Sequence, residues 1–270
     1  MMKNGPFALI FHWLFVAFLA SPLVMVVLVS LTANNYLSLP TNGMSLRWYE
    51  AMLQNKQFIA AFKNSLWLGV ASASFAVLLS IPAALAIARM HFPGRDTIAT
   101  VLMSPLLVPH LVLGIAFLQF FALTSMRGSF VGLALAHTVV VMPYALRLLM
   151  SAYTGMDGSI EQAARSLGAS AFTAFRRVTL PLALPGVVSG WLMAFIHSFD
   201  ETTMTVFLAS PSMTTLPVRI YLHIEETVDP MVAAVSSTLI FLALALMVVL
   251  DRGFGLDRLL SGEGAKGDTR

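Results

Sequence analysis

The spacing of the charged residues constrains this chain more than any other feature, because it leaves six long stretches without a charge. These are residues 4–46, 64–88, 97–126, 128–146, 178–199 and 230–250. Charged residues make up 11% of the sequence, whereas a water-soluble domain carries about 25%. A helix needs about 20 apolar residues to cross a bilayer, and in lipid the backbone satisfies its own hydrogen bonds by forming helices. The sequence therefore predicts an all-α membrane protein.

Each uncharged stretch is long enough for one transmembrane helix. The predicted spans lie at about 8–31, 65–89, 99–123, 129–150, 184–208 and 231–250. The first could alternatively belong to a cleaved signal peptide, since Lys3 precedes it. Its apolar run extends to about Leu31, beyond the roughly 7–15 residues of a signal core, so a retained signal-anchor helix is favoured.

The positive charges predict the orientation. Six spans put both termini on one side, and if that side is the cytoplasm, eleven of the sixteen Lys and Arg residues lie inside, in agreement with the positive-inside rule. We therefore expect both termini in the cytoplasm and one transmembrane domain over residues 1–260. The tail at 261–270 is rich in glycine and charge and is predicted to be disordered.

Two outer connections are long enough to have structure of their own. Apolar residues recur from Ser45 to Phe62, which predicts an amphipathic helix on the membrane surface. The connection at about 209–230 contains three prolines and a group of acids, for which a solvated loop face is the simplest interpretation.

The inner connection over Ser159–Pro185 carries the most specific pattern of the chain. Good helix formers fill 159–167, and Gly168 ends that helix as a residue able to adopt a positive φ. The Ser170 hydroxyl is an N-cap for a second helix, which we expect to stop before Pro181 because proline lacks a backbone N–H. Two short helices meeting at a glycine predict a compact knob projecting from the membrane.

The spacing of this loop resembles the EAA loop of binding-protein-dependent ABC importer permeases, whose pattern is Glu-Ala-Ala-x3-Gly-x9-Ile-x-Leu-Pro. Gln162 stands where the family has Glu, with Glu161 one residue earlier, and Val178 stands in place of Ile. An ordinary pair of interfacial helices is the alternative. The resemblance implies a role in ATPase coupling for Glu161, Gln162, Ala163, Ala164, Gly168, Ala169, Ser170, Leu180 and Pro181.

Other segments are similar to the spermidine/putrescine-type permeases of that family and extend the resemblance along most of the chain. They are Ser45-Leu46-Arg47-Trp48-Tyr49, Asn64-Ser65, Pro105-Leu106-Leu107-Val108-Pro109 with Gly114, Ser198-Phe199-Asp200-Glu201, Thr215-Leu216-Pro217, Asp229-Pro230 and Ala233-Ala234-Val235-Ser236. Permeases for opines, aminoalkylphosphonates and other small amines share much of this pattern. The resemblance implies a type I ABC importer permease fold with a cytoplasmic coupling helix, and a polyamine or related amine as the solute.

The same resemblance implies an importer of several chains in the bacterial cytoplasmic (inner) membrane. A second homologous permease subunit would complete the pathway, two copies of an ATPase would receive the loops, and a periplasmic substrate-binding protein would deliver the solute. This chain has no G-x-x-x-x-G-K-[ST] loop, the motif that cradles nucleotide phosphates. ATP and Mg would therefore be bound by the ATPase, and neither catalytic residues nor a cofactor are expected in this chain.

Asp200 and Glu201 lie inside the predicted fifth span. Ionisable groups in a span are unfavourable and usually face an interior or an aqueous cavity, so either carboxylate could attract a cationic amine crossing the pathway. Successive helical residues point about 100° apart, so the two acids are not expected to line the same wall. The alternative is structural pairing, for example of Glu201 with His197 one turn away or with another subunit.

Other residues with polar groups fit structural roles better. His137, Tyr144 and Trp191 lie in predicted spans, where packing or a satisfied hydrogen bond is the simpler interpretation. The six His and sixteen Met residues are scattered without the spacing of a metal site, so no metal is expected. No basic run interleaved with aromatics is present, which argues against a nucleic-acid partner.

An ion-coupled secondary transporter is the main alternative function. Such proteins need intramembrane acids or histidines and usually two repeated halves with interrupted helices. Only Asp200 and Glu201 qualify here, and no internal repeat is visible. A membrane scaffold or an intramembrane enzyme is a further alternative, but no Ser/His, His/His or paired-Asp constellation can be assembled from the sequence.

Overall fold

The computed structural model describes residues 6–254, and within that range the chain is helical with no β-strand. The predicted tail at 261–270 lies outside the described residues. The helices are α1 (Pro6–Ser30), α2 (Arg47–Gln54), α3 (Lys56–Arg89), α4 (Arg95–Met103), α5 (His110–Leu123), α6 (Phe130–Gly155), α7 (Gly158–Ser166), α8 (Ala171–Ala174), α9 (Leu180–Asp200), α10 (Thr205–Leu208), α11 (Leu216–Glu226) and α12 (Met231–Phe254). A 3₁₀ turn spans Ser104–Leu107 and a π-helical turn spans Phe175–Thr179.

Five helices of the described part are long and apolar enough to cross a membrane, and a bent pair makes a sixth candidate. The five are Phe7–Ser30, Lys56–Arg89, Phe130–Gly155, Ala171–Asp200 and Met231–Val249. They correspond to predicted spans one, two, four, five and six, so the all-α membrane class is confirmed.

The predicted third span at 99–123 is not a single straight helix. The chain bends by 102° between Arg95–Leu107 and His110–Leu123. Val108 is extended, with φ −92° and ψ 128°, because a residue before proline is pushed out of the helical region. Pro109 follows it and has no N–H to continue a helical ladder. The prediction missed this break because it relied on hydropathy alone.

The second span begins earlier than predicted, and the surface helix is shorter. Asn55 leaves the helical region between α2 and α3, with ψ 101°. Its side-chain oxygen accepts the backbone N–H groups of Gln57 (3.0 Å) and Phe58 (3.3 Å), as an N-cap does. The predicted helix over Ser45–Phe62 was therefore wrong in extent, because Asn55 divides it and its second part belongs to α3.

The fifth span also differs from the predicted 184–208, since the helix runs from Ala171 to Asp200 without stopping at Pro181. A π turn precedes the proline, and in it the Leu180 N–H donates to the Phe175 carbonyl. Such a turn widens the helix at the point where the proline ring would clash with the carbonyl four residues back. Pro181 is the second residue of α9, directly after this wider turn.

The described part of the chain divides into two compact units, one of residues 6–60 with 219–249 and the other built on 61–218. In the first unit, the Tyr49 hydroxyl bonds the hydroxyls of Ser30 and Ser237, both at 2.7 Å. Its helix α1 is apolar, and most of residues 7–25 are exposed; Trp13, for example, is 67% exposed. Such a surface suits a helix surrounded by lipid.

In the second unit, α6 and α9 pack closely through small residues. A Cβ on Gly190 would lie 3.3 Å from both the Cα and the carbonyl oxygen of Ala145, and one on Gly186 would lie 2.5 Å from the Ala152 Cβ. Gly186 and Gly190 form a G-x-x-x-G pattern, which allows helix backbones in membranes to approach one another.

We expect Gly190→Val to lower the stability of the detergent-solubilised protein by about 1–3 kcal/mol, the usual effect of overpacking. Gly155→Val is the matched control, because no atom lies within 4 Å of a Cβ at that position. The measurement is the thermal unfolding midpoint, and equal midpoints for the two variants would contradict this account of the interface.

Candidate functional site

The predicted coupling loop forms two capped helices that meet at a glycine. Gly168 has φ +92°, its N–H donates to the Arg165 carbonyl, and the Ala169 N–H donates to the Ala164 carbonyl. This pair of bonds is a Schellman motif, which requires the left-handed conformation at the glycine. No atom lies within 4 Å of a Cβ at Gly168, so the backbone angle, not crowding, calls for glycine here.

Both loop helices have side-chain N-caps. The Asp157 carboxylate accepts the Ser159 N–H at 2.9 Å, and hydrogen bonds from the Ser159 backbone and side chain lower the pKa of Asp157. The Ser170 hydroxyl accepts the Thr173 N–H at 3.2 Å, so the predicted start of the second helix is confirmed. The anionic cap at α7 also suits the positive end of the helix dipole.

The loop presents an exposed apolar surface bordered by arginines. Leu167 is 90% exposed and Phe172 is 71% exposed, and the exposed side chains of Arg165, Arg176 and Arg177 lie in the same segment. Large exposed apolar side chains within a polar border are typical of protein interaction sites.

The remaining predicted coupling residues divide between the loop and the span. Gln162, Ala163 and Ser170 are exposed, whereas Glu161, Ala164 and Ala169 are half-buried. Leu180 and Pro181 belong to α9, directly after the π turn. The expectation that the second loop helix stops before Pro181 was wrong, and the loop is therefore continuous with the fifth span.

Asp200 and Glu201 lie at the end of the fifth span and not inside it. Asp200 is the last residue of α9, and Glu201 leaves the helix with ψ 111°. Asp200 is exposed, and within residues 6–254 no hydrogen bond or ion pair involves its carboxylate. Glu201 is only 7% exposed. Adjacent acids thus have opposite surroundings.

Both carboxylate oxygens of Glu201 have partners. One accepts the Met204 N–H at 2.7 Å, and the other bonds the His110 Nδ1 at 2.5 Å. Glu201 therefore caps the turn between α9 and α10 and pairs with the first residue of α5. The proposed pairing with His197 was wrong, because the break in the helix turns Glu201 towards α5.

Two histidines beside this turn are also engaged. The His197 ring stacks on Tyr144, with centroids 3.8 Å apart. His137 is fully buried, and its two ring nitrogens bond the Ser198 and Thr205 hydroxyls, each at 2.9 Å. The interpretation of His137 as a satisfied structural histidine is confirmed, and the same holds for Trp191, whose Nε1 donates to the Ser74 hydroxyl at 3.0 Å.

The contact between α5 and the turn leaves no space for a side chain at Gly114. A Cβ there would lie 2.9 Å from Phe207 Cδ2 and 3.2 Å from the Met204 Cα. Sequence reasoning identified the acids but missed His110, since the partners are 91 positions apart. The Pro109–His110 helix start at the bend was the signal that could have drawn attention to it.

Comparison with known proteins gives concordant results. The family model for binding-protein-dependent transport system inner membrane components matches residues 76–255. The spermidine/putrescine transport system permease protein PotC of Haemophilus influenzae is 33% identical over 239 residues, covering 88% of this chain and 93% of the relative. PotC of Escherichia coli K12 is 29% identical over 253 residues, covering 94% of this chain and 93% of the relative. The putrescine transport system permease protein PotI of the same organism is 30% identical over 244 residues, covering 88% of this chain and 86% of the relative.

Solved structures with little sequence similarity share the fold. A bacterial ABC transporter involved in the import of alginate has a chain with a TM-score of 0.75 and 16% identity, covering 93% of this chain and 96% of that one. The MetNI methionine ABC transporter has a chain with a TM-score of 0.59 and 18% identity, covering 79% and 99%. The predicted type I importer permease fold is confirmed.

We expect Glu201→Ala to lower the stability of the solubilised protein by about 2 kcal/mol, because a buried backbone N–H and an imidazole lose their acceptor. This loss of stability is smaller than the loss expected when a fully buried ion pair is broken, because the His110 side chain is 33% exposed. Asp200→Ala is the control and should leave the thermal midpoint unchanged. Equal losses for the two variants would show that Glu201 does not hold the turn.

Proposed function

The chain belongs to the family of binding-protein-dependent transport system inner membrane components, and from that premise we propose that it imports a polyamine or a related small amine. It is a multi-pass inner-membrane permease subunit of an ABC importer and forms half of the translocation pathway. The observation that carries the substrate class is the alignment with permeases named for spermidine and putrescine over 88% or more of the chain.

In this proposal the protein works with three kinds of partner. A second homologous permease subunit completes the pathway, an ATPase dimer binds ATP and Mg, and a periplasmic binding protein delivers the solute. A solved structure similar in fold is described as an alginate ABC transporter in complex with its pentasaccharide-bound periplasmic protein. Both termini and the loop at 159–181 face the cytoplasm, as the distribution of Lys and Arg favours.

The loop is proposed as the docking surface for the ATPase. Its support is the exposed apolar pair Leu167 and Phe172 beside basic side chains, together with the rigid turn at Gly168. Gln162, Ala163, Ala164, Gly168, Ala169 and Ser170 belong to this surface, and Glu161, Leu180 and Pro181 connect it to the span. Small alanines allow a partner surface to approach closely.

Of the two predicted acids, Asp200 is proposed to act on the solute and Glu201 to shape the turn. Asp200 is exposed and its carboxylate makes no hydrogen bond or ion pair within residues 6–254, so it is available to an ammonium group. The half-buried Tyr144–His197 stack beside it offers an aromatic surface on which cations bind favourably. Both carboxylate oxygens of Glu201 already accept or share hydrogen bonds within the protein, so they are not available to bind a solute.

The function is tested by uptake of labelled spermidine and putrescine into proteoliposomes that contain this chain, its partner permease and its ATPase, with the binding protein outside. The proposal expects saturable uptake that needs ATP and persists when the proton gradient is dissipated. Uptake without the ATPase that collapses with the gradient would instead identify an ion-coupled secondary transporter. ATP-dependent uptake of a different solute would reject the substrate class alone.

In the same assay we expect Asp200→Asn to lower the efficiency of uptake about fivefold while leaving complex assembly intact. A solvent-accessible carboxylate about 4 Å from an ammonium group contributes about 1 kcal/mol. Glu225→Gln is the control, because it removes an exposed acid of α11. If both variants transport like the parent protein, Asp200 has no part in the solute path.

A further inference from the structure

One hydrogen bond joins the exposed loop helix to the base of the fifth span. The Thr179 hydroxyl donates to a carboxylate oxygen of Glu161 at 3.0 Å. Glu161 lies in the first turn of α7, and Thr179 is the last residue of the π turn and only 1% exposed. Because Thr179 is almost fully buried, its hydroxyl would be left without a partner if this acceptor were removed. The bond is therefore suited to a mechanical role.

The span on the other side of this bond is an uninterrupted rod. From Ala171 to Asp200 the chain forms 30 residues of helix, about 45 Å at 1.5 Å per residue. The π turn keeps the rod continuous past Pro181. One end of the rod lies in the proposed docking surface, and the other carries the proposed solute-contacting acid.

The loop helix α7 is held firmly where the chain enters it. Arg89, at the end of α3, donates to the Tyr153 carbonyl at 2.9 and 3.1 Å and to the Met156 carbonyl at 2.8 Å. The last carbonyls of a helix have no partner within the helix, and these bonds satisfy two of them at the end of α6. The entry to α7 is thus fixed to two spans.

The exit of α7 is a short backbone turn. It passes through Leu167, Gly168 and Ala169 and is closed by the two backbone hydrogen bonds of the Schellman motif. Without a further contact, a force on α7 would reach the span only through this turn. The bond between Glu161 and Thr179 bypasses that point and connects α7 directly to the rod.

We propose that Glu161 is a positioning residue that fixes α7 to the fifth span through Thr179, so that displacement of the docking surface reaches the solute end of the rod. The inference rests on the proposed function and adds to it an assigned mechanical contact. The role belongs to the acceptor oxygen and not to the negative charge, although Glu161 also lies where a helix dipole favours an acid. A substitution that keeps an acceptor oxygen but removes the charge therefore distinguishes the hydrogen bond from the helix-dipole effect.

The test compares solute imported per ATP hydrolysed in the reconstituted complex. Glu161→Ala and Thr179→Val remove the bond, and we expect each to lower this ratio about tenfold, the upper end of what loss of one hydrogen bond predicts, with unchanged copurification of the ATPase. Glu161→Gln and Thr179→Ser retain an acceptor and a donor and should stay within about twofold of the parent. The double variant Glu161→Ala with Thr179→Val should be no worse than either single variant, because the bond is shared.

Thr154→Val is the matched control, since it removes an exposed threonine hydroxyl that bonds only the Met150 carbonyl of its own helix. The inference is overturned if Glu161→Ala and Thr179→Val behave like this control, if their effects multiply in the double variant, or if Glu161→Gln fails as Glu161→Ala does. Loss of ATPase copurification in Glu161→Ala would also overturn it, by making Glu161 a docking contact. A parent complex without ATP-dependent uptake would instead reject the proposed function itself.

Discussion

Inside a bilayer no water is available for an unpaired backbone N–H or carbonyl, so an interrupted helix needs other partners for these groups. At several interruptions of this chain a side chain or a changed register supplies the partner. Asn55 accepts two N–H groups at the start of α3, Glu201 accepts the Met204 N–H, and Arg89 covers carbonyls at the end of α6. These three side chains thus satisfy backbone groups at helix ends.

The adjacent acids at the end of the fifth span illustrate how local structure assigns roles. Glu201 is buried between a backbone N–H and His110, and its removal from the solvent makes it part of the scaffold. Asp200, one residue earlier, remains exposed because the helix ends between the two residues. The buried His137 of α6 bonds the hydroxyls of Ser198 and Thr205, and these two bonds hold the same turn against α6. A charge near a pathway is therefore not by itself a sign of solute contact.

The sequence was sufficient for five of the six predicted spans as long apolar helices and for the two capped loop helices. Charge-free stretches follow directly from the lipid environment, and Gly168 and Ser170 act through local backbone geometry that a short segment specifies. The helix boundaries were harder to predict, because a proline ends a helix at one position and is accommodated within a helix at another. Pro109 ends a helix, whereas Pro181 is accommodated by a π turn, and nothing in the immediate sequence distinguishes the two.

Long-range partners were not accessible at all from the sequence. The bond between Glu201 and His110 and the stack of Tyr144 on His197 arise when separate helices meet. Pairing of this kind depends on helix packing, here on the close approach allowed by Gly186 and Gly190. The acids were found because they are rare in spans, but their partners required the fold.

Residues 159–181 are proposed to form the cytoplasmic docking segment for an ATPase, and because the chain contains no cysteine, their location can be tested directly. A single cysteine introduced by Leu167→Cys, at a site that is 90% exposed, is probed with a membrane-impermeant maleimide. The account predicts labelling in inside-out vesicles but not in intact spheroplasts, and protection when the ATPase is bound. Labelling from the outer face would contradict the topology on which every functional assignment depends.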